Sequence, residues 1–239
     1  MLKAVFFDAA GTLFESRLPV AEIYAELARQ FGVDADARQV GAAFRNAFGS
    51  APALAFGTGH RTQELRRLER EWWRQRVAET FTQIGEFADF EAYFDRLFAI
   101  FGEPATWEPC PEAIPTLQRL KDEGLIVGVI SNFDYRVHGV LGGLGMGALL
   151  DSTTISSEAG YAKPASEIFA LALAKHRLKP LECVHVGDSI ALDVVGAQTA
   201  GIRAILVKAG TDPDALPAVP AVRSLGQIPD LVKTLGLTF

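Results

Sequence analysis

The chain has few cysteines and no long apolar run. Its 239 residues include only two cysteines, Cys110 and Cys183, which form neither a disulfide framework nor a metal-binding spacing. This scarcity is typical of a reducing compartment. No apolar stretch approaches the roughly 18 residues that a membrane span requires, and the first residues lack the pattern of a signal peptide. We therefore expect a cytoplasmic protein without a membrane association.

A large excess of positive charge is also absent. The net charge is −6 at pH 7, which argues against nucleic acid as a main partner. Hydrophobic residues make up 49% and charged residues 22% of the chain, a composition that supports a packed core and is unlike that of disordered proteins. The length suits one large domain or a main domain with an insertion. A monomer and a homodimer both remain open.

Strand-like alternation is missing between about residues 15 and 107. In its place, apolar residues recur at helical spacing in four stretches, namely 20–31, 37–48, 61–81 and 87–101. A loop with Pro52 and three glycines separates the second stretch from the third. We predict that residues 15–108 form a helical cap domain, inserted into a core domain made of residues 1–14 and 109–239.

The rest of the chain alternates between strand and helix patterns. Apolar and β-branched runs predict strands at residues 4–7, 125–130, 152–155, 183–186 and 202–207. Helical patterns lie between them at residues 111–120, 137–144, 166–175 and 192–200. This alternation predicts an α/β fold with a doubly wound parallel sheet. In such a sheet the carboxyl ends of the strands share one edge, where ligands bind.

Polar residues with complementary chemistry stand after several of these strands. Asp8 follows the first strand, the pair Ser131–Asn132 follows the second, and Asp188 follows the strand at 183–186, with Asp193 five positions later. Asp8 and Asp188 would repel each other unless a cation lay between them, and their oxygens suit Mg²⁺. Lys163 and the Ser131 hydroxyl would then hold phosphate oxygens, as phosphoryl transfer requires.

These residues form motifs that resemble those of the haloacid dehalogenase (HAD) superfamily. The motifs are Asp8-x-x-Gly-Thr12-Leu13, Ser131-Asn132, Lys163-Pro164 and Gly187-Asp188-Ser-x₃-Asp193-x₂-Gly196-Ala197. They occur in the order of that family, and the predicted cap lies where the family places its helical C1 cap. Further segments resemble the subgroup of haloacid dehalogenase-like hydrolase domain-containing proteins, namely Ser131-Asn-Phe-Asp134, Val184-His-Val-Gly-Asp188 and Trp72-Trp73-x₃-Val77-x₂-Thr80-Phe81.

The resemblance implies a phosphatase-type hydrolase of a small phosphorylated molecule, with a role for each motif residue. Asp8 would attack phosphorus and form an aspartyl-phosphate. The residues implied at the Mg²⁺ site are Asp8, Ala10 through its main-chain carbonyl, Asp188 and Asp193, the last through water or by orienting the loop. The residues implied to bind substrate are Thr12, which would also steady its loop, Ser131, Asn132 and Lys163. Ser131 and Lys163 would also assist catalysis.

One position departs from the phosphatase pattern. Phosphatases of this superfamily usually carry a second Asp two residues after the nucleophile, as general acid and base, but this chain has Ala10. General acid–base catalysis is worth ~10²–10⁴-fold, so we expect weak turnover or substrates with good leaving groups. A catalytically idle member that binds a phosphorylated ligand or a protein partner is therefore an open alternative.

Two other relatives lack that Asp. The 2-haloacid dehalogenases need no metal and usually have Tyr where Ala10 stands and Ser near Asp188, so Asp188 speaks against this less favoured alternative. The phosphonate hydrolases have Ala at that place but need a lysine in the cap to form a Schiff base. No lysine occurs between Lys3 and Lys121, so that chemistry has no candidate amine.

Some neighbouring side chains have two interpretations. His185 is expected to be a structural residue at a strand end rather than a base. Asp134 could line the cleft or begin a helix. Trp72 and Trp73 lie about 100° apart on a helix, so at most one is deep in a core, and packing is favoured over substrate stacking. Glu158 could orient the amine of the third motif.

Overall fold

The computed structural model describes residues 1–208 and 219–237. Its strands are β1 (Ala4–Phe7), β2 (Phe14–Ser16), β3 (Trp107–Pro109), β4 (Ile126–Ser131), β5 (Ser152–Ile155), β6 (Cys183–Gly187), β7 (Arg203–Val207) and β8 (Ala221–Val222). Within these residues, six strands form a parallel sheet in the order β5-β4-β1-β6-β7-β8. The fold class is therefore confirmed as α/β with a doubly wound parallel sheet.

Strand β1 shows why the central strands are continuous apolar runs. Its side chains alternate between the two faces of the sheet, with Val5 and Phe7 in one hydrophobic cluster and Ala4 and Phe6 in another. Because elements cover both faces, neither face is polar. The register places β1 between β4 and β6, so polar residues that follow these three strands meet at one edge.

Most helices of the described residues agree closely with the predicted stretches. Before β3 they are α1 (Val20–Gln30), α2 (Ala37–Gly49), α3 (Thr62–Phe81) and α4 (Phe90–Ile100). After β3 they are α5 (Ala113–Asp122), α6 (Arg136–Gly143), α7 (Ser156–Ala159), α8 (Ser166–Ala174), α9 (Val195–Thr199) and α10 (Ile228–Leu237). Helices α1 to α4 share an aromatic-rich hydrophobic cluster separate from the two at the sheet. The division into a core and a cap domain stays a prediction.

The expectation that residues 15–107 are wholly helical is wrong at both ends. Strands β2 and β3 pair antiparallel where the chain enters and leaves this segment. Three-residue strands are too short to show a period in the sequence. The rings of Phe14 and Trp107 meet edge to face, with centroids 5.2 Å apart. This ribbon ties the beginning and the end of the helical segment to the loop after β1.

Other elements were not predicted or differ in type. The sequence patterns did not indicate α7, β8 or α10, and the helix expected at residues 192–200 begins as a π-helical turn over Ile190–Val194 before α9. Elements this short carry little periodic signal. In the part of the chain that the structure describes, no helix combines the length and apolar character needed to cross a membrane.

Candidate active site

Asp8 lies at the carboxyl end of β1, where the chain turns sharply. The carbonyl of Ala9 accepts hydrogen bonds from three following backbone N–H groups. Gly11 has a φ of +88°, and a Cβ at this position would lie 2.9 Å from Oδ2 of Asp188. Only glycine combines this backbone conformation with such a close approach. The turn therefore brings the first and the fourth motif together.

Lys163 contacts two carboxylates. Its Nζ lies 2.8 Å from Oδ1 of Asp8 and 2.6 Å from Oδ1 of Asp193. The Lys163 side chain is 1% exposed and that of Asp8 is 13% exposed. Burial by itself would lower the pKa of Lys163, but the charges of the two aspartates raise it above its ordinary value. The ammonium group therefore stays charged beside the predicted nucleophile.

Asp193 uses both carboxylate oxygens to hold this arrangement. Besides Lys163, Oδ1 accepts a hydrogen bond from Nε2 of His185 at 2.9 Å, and Oδ2 accepts one from the backbone N–H of Ser189 at 3.0 Å. Burial would raise the pKa of Asp193, but the hydrogen bond from His185 and the charge of Lys163 hold it well below its usual range. These contacts favour an orienting role for Asp193 over direct metal ligation.

Asp188 follows β6 and completes an acidic group. One carboxylate oxygen from each of Asp8, Asp188 and Asp193 lies within 4.8 Å of the others. Asp188 reaches solvent on one side. Its other side is shielded from water by the protein. This partial burial, and then the charges of Asp8 and Asp193, raise the pKa of Asp188 above the ordinary value. The Thr12 hydroxyl donates to Asp188 Oδ1 at 3.4 Å, so Thr12 contacts this carboxylate.

The oxygens at this edge fit a hard divalent cation. Asp8 and Asp188 offer carboxylate oxygens, and the Ala10 carbonyl receives no hydrogen bond from any residue that the structure describes. Mg²⁺ prefers such oxygen ligands and uses one or two carboxylates with water and phosphate. The carboxylates of Asp8, Asp188 and Asp193 cluster here around one lysine ammonium group. The donor set therefore suits Mg²⁺.

Asn132 positions the backbone of Lys163. Its Nδ2 donates to the Lys163 carbonyl at 2.9 Å, and its Oδ1 accepts from the Lys163 N–H at 2.7 Å. The amide predicted to bind substrate is thus engaged with the third motif. Ser131 stands at the end of β4 and is 3% exposed, and its hydroxyl forms no hydrogen bond with residues 1–208 or 219–237. Ser131 therefore keeps its hydrogen-bonding capacity for a ligand.

Asp134 lies two residues before α6, whose N-cap residue is Tyr135, and does not line the cleft. It is fully buried, and its carboxylate accepts hydrogen bonds from the Arg136 backbone N–H and from Nε and Nη2 of the same residue, at 2.9, 2.9 and 2.6 Å. Trp73 on α3 donates to Asp134 Oδ2 at 2.6 Å. Trp72 is also packed, donating to the Pro52 carbonyl. Trp72 is buried and Trp73 is half-buried, and each indole N–H group donates to an acceptor of the chain itself, as the packing interpretation expects.

Two residues beside the motifs have partners that the sequence did not reveal. Glu158 pairs with His138 and Arg66 and does not contact Lys163. His185 is a buried strand residue as expected, but its contact with Asp193 was missed. The available signal was a polar residue inside an otherwise apolar buried strand, since such a group needs a hydrogen-bond partner.

Similar proteins identify the family of the chain. A family model described as a haloacid dehalogenase-like hydrolase matches residues 2–201, which is most of the chain. The chain belongs to this hydrolase family. A human relative, haloacid dehalogenase-like hydrolase domain-containing protein 3, is 32% identical over 239 residues and covers 98% of this chain and 94% of its own. The predicted resemblance to that subgroup is confirmed.

More distant similarities are with two kinds of family member. The ribulose-1,5-bisphosphate 5-phosphatase of Halopiger xanaduensis is 30% identical over 127 residues, about half of each chain (53%). The structure of the L-2-haloacid dehalogenase of Xanthobacter autotrophicus superposes with a TM-score of 0.71 at 20% identity, covering 98% of this chain and 99% of the other. The structural likeness shows a shared fold.

Proposed function

We propose that this hydrolase is a Mg²⁺-dependent phosphatase that acts on a small phosphorylated metabolite through Asp8. The observation that carries the proposal is the contact between Lys163 Nζ and Asp8 Oδ1, 2.8 Å apart, beside the carboxylate of Asp188. A nucleophile, a fixed cation and oxygen ligands for a metal are the parts that phosphoryl transfer needs. The similarity to the Halopiger phosphatase supports the same class of substrate.

The reaction would proceed in two steps. An Asp8 carboxylate oxygen attacks phosphorus while the bond from phosphorus to the leaving oxygen breaks, which gives an aspartyl-phosphate and an alkoxide or phenoxide that takes a proton from water. Water then attacks the phosphorus of the aspartyl-phosphate, which releases inorganic phosphate and restores Asp8. Splitting the displacement into two steps replaces one difficult reaction by two easier ones.

Different residues around Asp8 would bind the metal ion and the phosphoryl group. Asp8, Asp188 and the Ala10 carbonyl would hold Mg²⁺, which offsets the negative charge of the carboxylates and the phosphoryl group when bound. Lys163, fixed by Asp193, places a second positive charge beside the attacking oxygen. The free Ser131 hydroxyl would donate to a phosphoryl oxygen, while Asn132 keeps the backbone of Lys163 in place.

The chain's own residues supply no proton donor at position 10. The leaving oxygen therefore departs with its negative charge or takes a proton from water. This favours esters whose leaving groups are weak bases, such as aryl phosphates, over alkyl phosphates. The proposed enzyme is a slow phosphatase with a preference for good leaving groups.

Aryl phosphate hydrolysis tests the proposal. We expect release of p-nitrophenol from p-nitrophenyl phosphate that requires Mg²⁺, stops in EDTA and falls by ~10³-fold or more in Asp8→Asn. Asp36→Asn is a matched control, because Asp36 caps α2 and Asn caps helices equally well. An inactive parent across a broad panel of phosphate esters would instead support the idle binding member. Halide release from 2-chloropropionate without metal would support the dehalogenase.

A further inference from the structure

A cavity of about 90 Å³ lies between helices α1 to α4 and the residues that follow them in the chain. Its walls are mainly aromatic and include Phe44, Trp73, Phe94, Phe98, Trp107 and Phe133. None of Asp8, Ser131, Lys163 and Asp188 lines this cavity. It is therefore separate from the acidic site at the edge of the sheet.

One polar group on the cavity wall has no partner. Tyr24 lines the cavity and is only 3% exposed. Its hydroxyl makes no hydrogen bond with any described residue, whereas the hydroxyl of the neighbouring Tyr93 donates to the Tyr24 carbonyl at 3.2 Å. The Tyr24 hydroxyl therefore keeps its hydrogen-bonding capacity for an atom inside the cavity.

The charge on the wall is already neutralised. The guanidinium of Arg136 also lines the cavity, but its Nε and Nη2 donate to Asp134 and its Nη1 donates to the Phe98 carbonyl at 2.7 Å. No positive charge is left for an anion. A charged occupant would lose its hydration without gaining a partner of opposite charge. The occupant is therefore neutral.

The size of the cavity limits the occupant further. Water takes about 30 Å³ per molecule in the liquid, and an apolar cavity of about 150 Å³ accepts benzene. A cavity of about 90 Å³ therefore suits a molecule smaller than benzene. Water needs about two to four polar partners, but the cavity walls are apolar except for the Tyr24 hydroxyl, the paired Arg136 and the paired indole N–H groups of Trp73 and Trp107.

We infer that this cavity is a second binding site, for a small, neutral and mostly apolar molecule with one hydroxyl or carbonyl oxygen that pairs with Tyr24. Short alcohols and ketones are the chemical class that fits. The occupant would touch α1 to α4 on one side and Trp107 and Phe133 on the other, and so bridge the two parts of the chain. The site does not depend on the chemistry proposed for Asp8.

Titration with isobutanol, followed by NMR of the tryptophan indole N–H groups, tests the inference. The chain has three tryptophans, of which Trp73 and Trp107 line the cavity and Trp72 does not. We expect saturable shifts of the Trp73 and Trp107 signals, with smaller shifts for Trp72. Shifts that increase linearly with isobutanol concentration, or that are equal for all three signals, would contradict specific binding in this cavity.

The role of the hydroxyl is tested by Tyr24→Phe, which removes only an oxygen without a hydrogen bond and should leave the fold intact. We expect isobutanol affinity to fall about fivefold, as for the loss of one hydrogen bond. Xenon, which has no polar atom, should bind the parent and the variant equally. Tyr161→Phe is the matched control, since Tyr161 is 39% exposed and does not line the cavity. Equal isobutanol affinity for the parent and Tyr24→Phe would overturn the pairing with Tyr24.

A second variant addresses the cavity itself. Val77→Ile adds one methyl group to a wall residue that is 2% exposed. We expect it to weaken the binding of both isobutanol and xenon, because it removes space. Unchanged binding of both probes by this variant would contradict a site inside the cavity.

Discussion

The side chains of Lys163 and Asp193 form an ion pair in which each is 1% exposed and Nζ lies 2.6 Å from Oδ1. The pair is the middle of a chain of contacts that runs from His185 through Asp193 and Lys163 to Asp8. Because a buried charge without a partner is strongly destabilising, each member fixes the next. The ammonium group is therefore held at Asp8 before any ligand binds.

Replacing His185 by Leu should destabilise the protein most near neutral pH. The change removes a donor to a buried carboxylate, at a cost of about 1.5–3 kcal/mol in the free energy of unfolding. The lowered pKa of Asp193 contributes stability that is present above the unfolded pKa and is lost as the pH falls through the folded pKa. Without His185 this contribution is smaller. The loss in the free energy of unfolding relative to the parent should therefore be smaller in acid than at neutral pH.

Urea unfolding in EDTA at several pH values measures the effect of His185→Leu. His185→Gln is the matched control, because its amide keeps an N–H donor, and its deficit at neutral pH should be smaller. A deficit that is equal for both variants and independent of pH would show that His185 acts only by filling space.

Asp188→Asn should stabilise the metal-free protein and remove its response to Mg²⁺. The pKa of Asp188 is raised, so its contribution to stability is full below the unfolded pKa and is lost as the pH rises through the folded pKa. The variant should therefore have a higher free energy of unfolding than the parent at pH 7 in EDTA. This difference should disappear in acid. Ligand binding stabilises a protein by ~2.7 kcal/mol at 100 times Kd, and only the parent should gain this from Mg²⁺.

Thermal unfolding with and without Mg²⁺ distinguishes the two Asp188 proteins. Asp122→Asn, a substitution at an exposed residue of α5, should keep the full response of the parent. Equal increments in unfolding temperature for the parent and Asp188→Asn would place the cation elsewhere.

Ala10→Asp should restore a proton donor beside the proposed nucleophile. We expect kcat/KM to rise on alkyl phosphates more than on aryl phosphates, by up to ~10²–10⁴-fold, since alkyl leaving groups need protonation more. Steady-state kinetics on matched alkyl and aryl esters measures the difference. Ala10→Asn has the same shape without the carboxyl group and should give no such gain. An equal gain on both ester classes would contradict this account of Ala10.

Arg136→Gln should be one of the most destabilising single changes in the chain. It leaves the carboxylate of Asp134, which is fully buried, without its charged partner, and the loss of one partner of a buried pair costs about 3–5 kcal/mol. The matched control is Arg96→Gln, because Arg96 and its partner Glu103 are 55% and 47% exposed, and such pairs contribute below about 1 kcal/mol. Similar urea midpoints for the two variants would contradict the expected cost.

Much of the fold, and which polar side chains stand at the carboxyl edge of the sheet, could be predicted from the sequence alone. The run Ala4–Phe7 is a strand in the structure as in the prediction, because a strand buried on both faces must be continuously apolar. Asp8, Ser131 and Asp188 were found because each follows such a strand. Each of these signals lies within one short segment of the sequence. It can therefore be recognised without knowing which other segments pack against it. The short strands β2 and β3 gave no such signal and were missed.

Contacts between distant segments were decided only by the tertiary structure. The pairing of His185 with Asp193, the hold of Asn132 on Lys163 and the unpaired hydroxyl of Tyr24 are not visible in any local pattern. They depend on the order of strands in the sheet and on how helices pack against each other, which bring together side chains from separate parts of the chain. The sequence by itself determined which chemical groups are present at the ends of the strands. Packing decided which of those groups hold one another and which remain free for a ligand, because a buried polar atom must take the nearest partner that the fold offers.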